Sequence, residues 1–292
     1  MTNEEVLTKL EEDMRLRGYS PKTKKGYLIR AQVFIRYFEG RSIEDLNEHD
    51  IRSFLKYLFE EKKVVPGTVN VYNSTIRFIY EVSLERTLNF KLIPLHKIVR
   101  SLPEIMTVEE IQALFDACGN HLRDRAILMT IYGGGLRISE LCNLKVSDIY
   151  ASSMRILIRK GKGGKDRFTI LSKYNLDILS NYWRTYKPNH PDNYLFLSRL
   201  GNPMNPRTVQ KLFHKYLYKA GIKKNVTVHT LRHDFATHLL QAGTDISRIK
   251  HLLGHANIQS TTFYLHLLDF EVDLISPLDM MDEKLGMSKE VQ

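Results

Sequence analysis

Cysteine is nearly absent, with Cys118 and Cys142 the two in 292 residues. They form no C-x-x-C pair, which excludes a disulfide framework and a thiolate zinc site and fits a reducing compartment. Long apolar runs are also missing. The longest, around residues 126–132, falls far short of the roughly 20 residues that cross a bilayer. The opening Met1-Thr2-Asn3-Glu4-Glu5 is not that of a signal peptide, so the expectation is a cytoplasmic protein without a membrane partner. Acidic residues are in deficit, 33 against 43 Lys and Arg, for a formal net charge of +10. Such a balance favours a polyanionic partner. Residues 271–292 hold six of the acids and only two lysines, so the body of the chain is more basic than the whole. Repeats and low-complexity segments are absent. What is present is 43% apolar residues, enough to fill the cores of one large or two modest domains.

Helix signals dominate. Ser20 is a natural N-cap and Pro21 suits the first helical position; Tyr27, Leu28, Ala31, Phe34, Ile35 and Phe38 then recur at helical spacing. Residues 15–41 carry eight basic side chains and one acid, Glu39, so this helix is basic and amphipathic. With helices expected near 3–16, 48–60 and 68–83, residues 1–85 read as a four-helix unit. A basic linker, 86–104, is punctuated by Pro94 and Pro103. Thr107 and Glu110 form a capping box that opens a second domain, 105–270. Helices are expected there near 108–117, 122–132, 173–187, 206–220, 229–242, 246–253 and 258–267, with a short one from Ile138. Gly133-Gly134-Gly135 reads as a turn. Met154, Ile156 and Ile158, then Phe168 and Ile170, alternate around Gly161-Lys162-Gly163-Gly164, the pattern of a β-hairpin. The fold class is therefore mainly α with a small β-hairpin or sheet.

Six of eleven histidines fall between His229 and His266, which raises metal binding. His229 and His233 are four apart on an expected helix, but Arg232 stands where a zinc protease would place its acidic base, so no metal is assigned. Nucleotide cofactors lack support, because neither G-x-G-x-x-G after a strand nor G-x-x-x-x-G-K-[ST] occurs. What remains is a set of cations, two imidazoles and a phenol: Arg137, Lys162, His229, Arg232, His255 and Tyr264. The i, i+3 spacing puts His229 and Arg232 on one helix face. Guanidinium forks match the charged oxygens of a phosphoryl group, so the composition is that of a phosphate site.

Gly135-Leu136-Arg137-Ile138-Ser139-Glu140, Gly161-Lys162-Gly163-Gly164-Lys165, the run from His229 through Arg232 to Leu240, Leu252-Leu253-Gly254-His255, and Tyr264 follow one another in an order that closely resembles the tyrosine recombinases, the phage integrase family that includes Xer, integron and compact transposon integrases. The resemblance spans nearly the whole chain. It implies a helical, SAM-like core-binding domain and a catalytic domain, with 271–292 a tail exchanged between protomers. It also implies a site-specific DNA recombinase in which Tyr264 attacks a phosphodiester, giving a 3′-phosphotyrosyl link and a free 5′-hydroxyl, with neither metal nor other cofactor nor ATP. His229 would accept a proton, Arg137, Arg232 and His255 would stabilise the transition state, and Lys162 would protonate the leaving oxygen, with Lys165 its competitor. Glu140 matches the family's acidic, supporting position.

DNA contacts are expected from Lys22, Lys24, Lys25, Arg30, Lys165 and Arg167. The implied partners are double-stranded recombination sites, clamped between the two domains, further copies forming a tetramer that passes through a Holliday junction, and a paralogous recombinase or accessory protein. Association with the nucleoid follows. His233, His238, His251 and His266 are read as structural. Gly133 and Gly134 depart from the family's usual residues and are expected to loosen the turn before Arg137. A noncatalytic architectural protein and a type IB topoisomerase-like relaxing enzyme are the alternatives. The sequence leaves open whether the role is dimer resolution or mobility of an element.

Overall fold

The computed structural model describes residues 1–98, 104–159 and 166–254. It is mostly helical and divides into two compact units, Met1–Ser101 and Leu102–Gln292.

The first unit contains α1 (Asn3–Leu16), α2 (Pro21–Tyr37), α3 (Glu48–Lys56) and α4 (Pro66–Phe78). Local chemistry starts each of the first three. Thr2 and Glu5 cap α1 reciprocally, the Ser20 hydroxyl accepts the Thr23 N–H, and Asn47 and Asp50 cap α3. Val6, Leu10 and Met14, four apart on α1, are fully buried, so one helical stripe faces the core. Phe34, Phe38 and Phe54 meet edge-to-face within that core. Both α3 and α4 run on into π-helical turns, Tyr57–Glu61 and Ile79–Ser83, which the hydrophobic spacing had suggested only as continuous helix.

The second unit contains α5 (Val108–Asp116), α6 (Leu122–Gly134), α7 (Ile138–Cys142), α8 (Lys173–Tyr186), α9 (Pro206–Lys219), α10 (Val228–Gln241) and α11 (Ile246–Leu253). Residues 126–131 of α6 are buried without interruption, as in a helix surrounded on every side. This explains the apolar run noted in the sequence. An antiparallel sheet in the order β1 (Ile149–Tyr150), β2 (Arg155–Ile158), β3 (Arg167–Ile170) lies beside it. In that sheet Ile156 and Ile158 point inward as expected, whereas on β3 Phe168 and Ile170 are exposed and Thr169 is buried. Register fixes the faces: Ile156 pairs with Thr169 and Ile158 with Arg167, so Arg167 and Thr169 share the inner face.

Thr169 justifies its burial by donating its hydroxyl to the Gly134 carbonyl at 2.8 Å. Gly133 and Gly134 do not form a loose turn. They are the last residues of α6, and a Cβ on Gly134 would come within 2.4 Å of Leu136. His238 is structural, as read. Its Nε2 reaches the Met106 carbonyl at 3.0 Å, and its Nδ1 meets the Tyr132 hydroxyl at 2.9 Å. Four residues earlier on α10, Asp234 accepts the Met106 N–H at 3.0 Å. Two side chains of α10 thus hold both polar groups of one peptide residue ahead of α5, which ties α10 to the start of the unit. No helix of the described residues is long and apolar enough to cross a membrane.

Candidate active site

The site is built where the end of α6, the start of α7, strand β3 and helices α10 and α11 meet. Gly135 ends α6 in the left-handed region, φ +60°, and the Leu136 N–H returns to the Ile131 carbonyl at 3.0 Å, the 6→1 bond of a Schellman cap. A Cβ at Gly135 would lie 2.4 Å from the Phe235 ring and 3.1 Å from Leu253. Gly135→Ala therefore combines left-handed strain of roughly 1–2 kcal/mol with overpacking of about 1–3 kcal/mol. A loss of stability of that combined size in urea unfolding is expected, larger than for Gly133→Ala, whose Cβ meets nothing closer than 3.9 Å.

The cap turns the chain so that Arg137 becomes the N-cap of α7. Its backbone N–H donates to Glu140 Oε2 at 2.9 Å and its Nη1 to Oε1 at 2.8 Å. Arg167 approaches the same carboxylate from β3 as a two-pronged fork, Nη1 to Oε1 at 2.8 Å and Nη2 to Oε2 at 2.7 Å. Arg232 adds a third guanidinium 3.7 Å from Oε2. Those four hydrogen bonds fill the acceptor sites of a carboxylate. Burial of Glu140 works against its charge, but the hydrogen bonds and charge of Arg167, then the bonds from Arg137, prevail and hold the carboxyl down at about 2.

Arg232 is 1% exposed and heads the largest fully buried side chains of the described residues. Its Nη1 donates to the Gly135 carbonyl at 2.6 Å and its Nη2 to the Leu253 carbonyl at 2.5 Å. One side chain therefore joins the glycine turn before Arg137 to the end of α11. His229, one helical turn earlier, is exposed, and its ring lies 4.7 Å from that of His233, nearly perpendicular. Although the residue is exposed at the surface, the protein packed around its ring first, then the charges of Arg232 and Arg137, lower the pKa of His229 below the usual histidine value. Burial first, then the charges of His229 and Arg232, push His233 down to about 4. A neutral His229 near neutral pH can accept a proton.

The structure thus brings Arg137, Glu140, His229 and Arg232 into one cluster from two motifs about 90 residues apart in sequence. Three guanidinium groups around one carboxylate leave net positive charge, which suits a phosphodiester anion. Lys162, Lys165, His255 and Tyr264 lie outside the described residues. Of the residues read as DNA contacts, Lys22 and Lys25 are exposed on α2 and Lys24 is half-buried. Arg30 donates its Nε to the Thr75 hydroxyl at 3.0 Å and stacks on Tyr27. Arg167 is turned inward onto Glu140, a role the sequence reading did not anticipate. The available signal was the strand period, since Arg167 falls on the same face as Thr169.

Residues 104–271 match the phage integrase family, and residues 6–89 match the phage integrase N-terminal SAM-like domain. The tyrosine recombinase XerA of Pyrococcus horikoshii is 36% identical over 269 residues, covering 90% of this chain and 90% of its own. A crystal structure of XerA recombinase aligns over 99% of this chain and 100% of that one, at 28% identity and a TM-score of 0.55. A lambda integrase dimer bound to a COC′ core site aligns over 95% and 100%, at 20% identity and a TM-score of 0.77, a likeness of fold.

Proposed function

This chain belongs to the phage integrase family of tyrosine recombinases and is a site-specific DNA recombinase; we propose that it cuts and rejoins duplex DNA through a 3′-phosphotyrosyl bond at Tyr264. The observation that carries the chemical reading is the cluster in which Glu140 organises Arg137 and Arg232 beside His229. In the forward step the Tyr264 oxygen forms a bond to phosphorus, and the bond to the 5′-oxygen breaks. The phenolic proton passes to His229, and a proton from Lys162 goes to the leaving oxygen. Rejoining reverses each transfer, so the energy of the broken bond is kept in the phosphotyrosine.

A phenol with a pKa of about 10 is ionised to only about one part in a thousand at neutral pH, so a base and a cationic setting are needed. The lowered pKa of His229 keeps its ring neutral and able to accept. Charge that accumulates on the nonbridging oxygens at the transition state is met by Arg137 and Arg232, which hydrogen bonds hold in place before the reaction begins, and by His255. Lys162, ahead of Lys165, is the acid.

Lys162→Ala is expected to cleave far more slowly than wild type on an ordinary phosphodiester. A bridging 5′-phosphorothiolate, whose thiolate departs without a proton, is expected to restore it. Rescue of Lys165→Ala in its place would move the assignment. Lys22, Lys24 and Lys25 supply sequence-independent phosphate contacts, and Arg30 is assigned to the same basic helix, α2. Residues 271–292 are assigned to exchange between protomers within a tetramer on DNA in the cytoplasm, because Leu274, Ile275, Leu278, Met280, Met281 and Leu285 need burial. Holliday-junction passage, nucleoid association and a paralogous or accessory partner belong to the same reading. The experiment that tests it is covalent trapping of a protein–DNA adduct, expected from wild type and absent from Tyr264→Phe.

A further inference from the structure

We propose that Arg167 is a positioning residue for strand cleavage: it locks the carboxylate that organises Arg137 and the end of the helix that leads to His255 into one register, without touching DNA. The inference rests on the recombinase reading of the same site and adds a residue that reading does not contain.

Three observations converge. The first is where the donors go. Two of the five N–H donors of a guanidinium reach Glu140 at 2.8 and 2.7 Å, and Nε reaches the Leu252 carbonyl at 2.8 Å. The side chain is 10% exposed and Glu140 6%, and three of the arginine's donors are already engaged by protein acceptors. The second is what those contacts join. Glu140 follows Arg137 by one turn, Leu252 is three residues before His255, and Arg167 itself occupies the rung opposite Ile158, at the base of the hairpin whose sequence carries Lys162. One planar fork therefore spans three segments that are distant in sequence, each adjacent to a residue assigned to the chemistry.

The third is that the fold keeps space for it. Gly254 closes α11 at φ +63°, and a Cβ there would lie 2.7 Å from Arg167 Cδ and 3.1 Å from its Nε. The glycine thus serves both the cap and the passage of the arginine. Lysine could not replace this geometry, since an ammonium is a point charge without a planar two-pronged face. Misplacement of a catalytic group by about 1 Å costs on the order of 100-fold in rate, which sets the expected effect.

The test compares wild type, Arg167→Ala, Arg167→Lys, Glu140→Gln and the Arg167→Ala/Glu140→Gln double variant. Binding to a mixed-sequence duplex is measured across a salt series, and covalent cleavage on nicked duplexes covering the DNA that flanks the gene. Arg167→Ala is expected to bind with unchanged affinity and unchanged salt slope while forming adduct about 100-fold more slowly, and Arg167→Lys to fall between it and wild type. The double variant should lose little beyond the worse single variant, because both break one contact. A drop in affinity with the salt slope reduced by about one would make Arg167 a DNA contact and overturn the proposal, as would wild-type cleavage by Arg167→Ala.

Thermal unfolding of the same five proteins gives a readout independent of activity. Strongly non-additive Tm shifts are expected, and additive ones would overturn the proposal even if wild type cleaved none of the fragments. Failure of wild type to form adduct on DNA shown to contain the site would instead count against the recombinase chemistry. Arg167→Lys serves if the alanine variant does not fold.

Discussion

Glu140→Gln is expected to destabilise the second unit by on the order of 3 kcal/mol and to lower strand cleavage by at least 100-fold. Removing one partner of a buried ion pair costs about 3–5 kcal/mol, because the remaining charge is left without compensation. Here three guanidinium groups would surround a neutral amide. Linkage gives a similar figure by a separate route. The Glu140 pKa falls from 4.5 to about 2 on folding; at 1.36 kcal/mol per unit, that is again on the order of 3 kcal/mol.

The sign follows from the direction of the shift. A carboxylate whose folded pKa is depressed contributes stability that is present above about pH 4.5 and lost as pH falls toward about 2. The gap between wild type and Glu140→Gln should therefore narrow over that window. Trp183, the one tryptophan of the chain, sits on α8 in the second unit, so its fluorescence during urea unfolding reports on the relevant half. A constant gap down to pH 2 would mean that Glu140 does not titrate as its three arginines dictate.

That carboxylate also marks where sequence reasoning ended. Helix starts were legible because they are local: Ser20 with Pro21, and Thr107 with Glu110, act within four residues, and both caps are present. His229 and Arg232 were legible as a pair for the same reason, one turn of one helix. The partners of Arg232 were not. It binds carbonyls 97 and 21 residues away, and carbonyls carry no side-chain signature. The fork of Arg167 onto Glu140 crosses 27 residues.

Strand β1 has two residues, too few to show alternation. On β3 the period was readable while the inward face was not, because Phe168 and Ile170 are apolar and yet exposed. Phe168 is instead covered in part by Tyr150, whose ring stands edge-on 5.4 Å away. The glycines at 133 and 134 misled for a related reason. Their backbone freedom suggested a loose turn, but both belong to α6, where the close approach of Leu136 and the hydrogen bond from Thr169 fix Gly134. The expected helix at 258–267 lies outside the described residues.

The second large effect concerns Tyr264. Its hydroxyl is assigned the bond to phosphorus, so Tyr264→Phe removes one oxygen and nothing else that the chemistry requires. DNA affinity should stay as in wild type, since phosphate contacts from basic side chains supply most of it. Covalent product should disappear entirely, because the oxygen assigned the bond to phosphorus is gone. The contrast with Glu140→Gln is in kind: the glutamine variant slows formation of the adduct, whereas the phenylalanine variant cannot form it.

The most direct measurement is therefore denaturing-gel trapping of a protein–DNA adduct on nicked fragments of the DNA flanking the gene, with wild type and Tyr264→Phe side by side. An adduct from wild type alone, joined through a 3′-phosphate and leaving a 5′-hydroxyl, is the predicted result. An adduct of equal yield from Tyr264→Phe, or a link through a 5′-phosphate, would contradict the account.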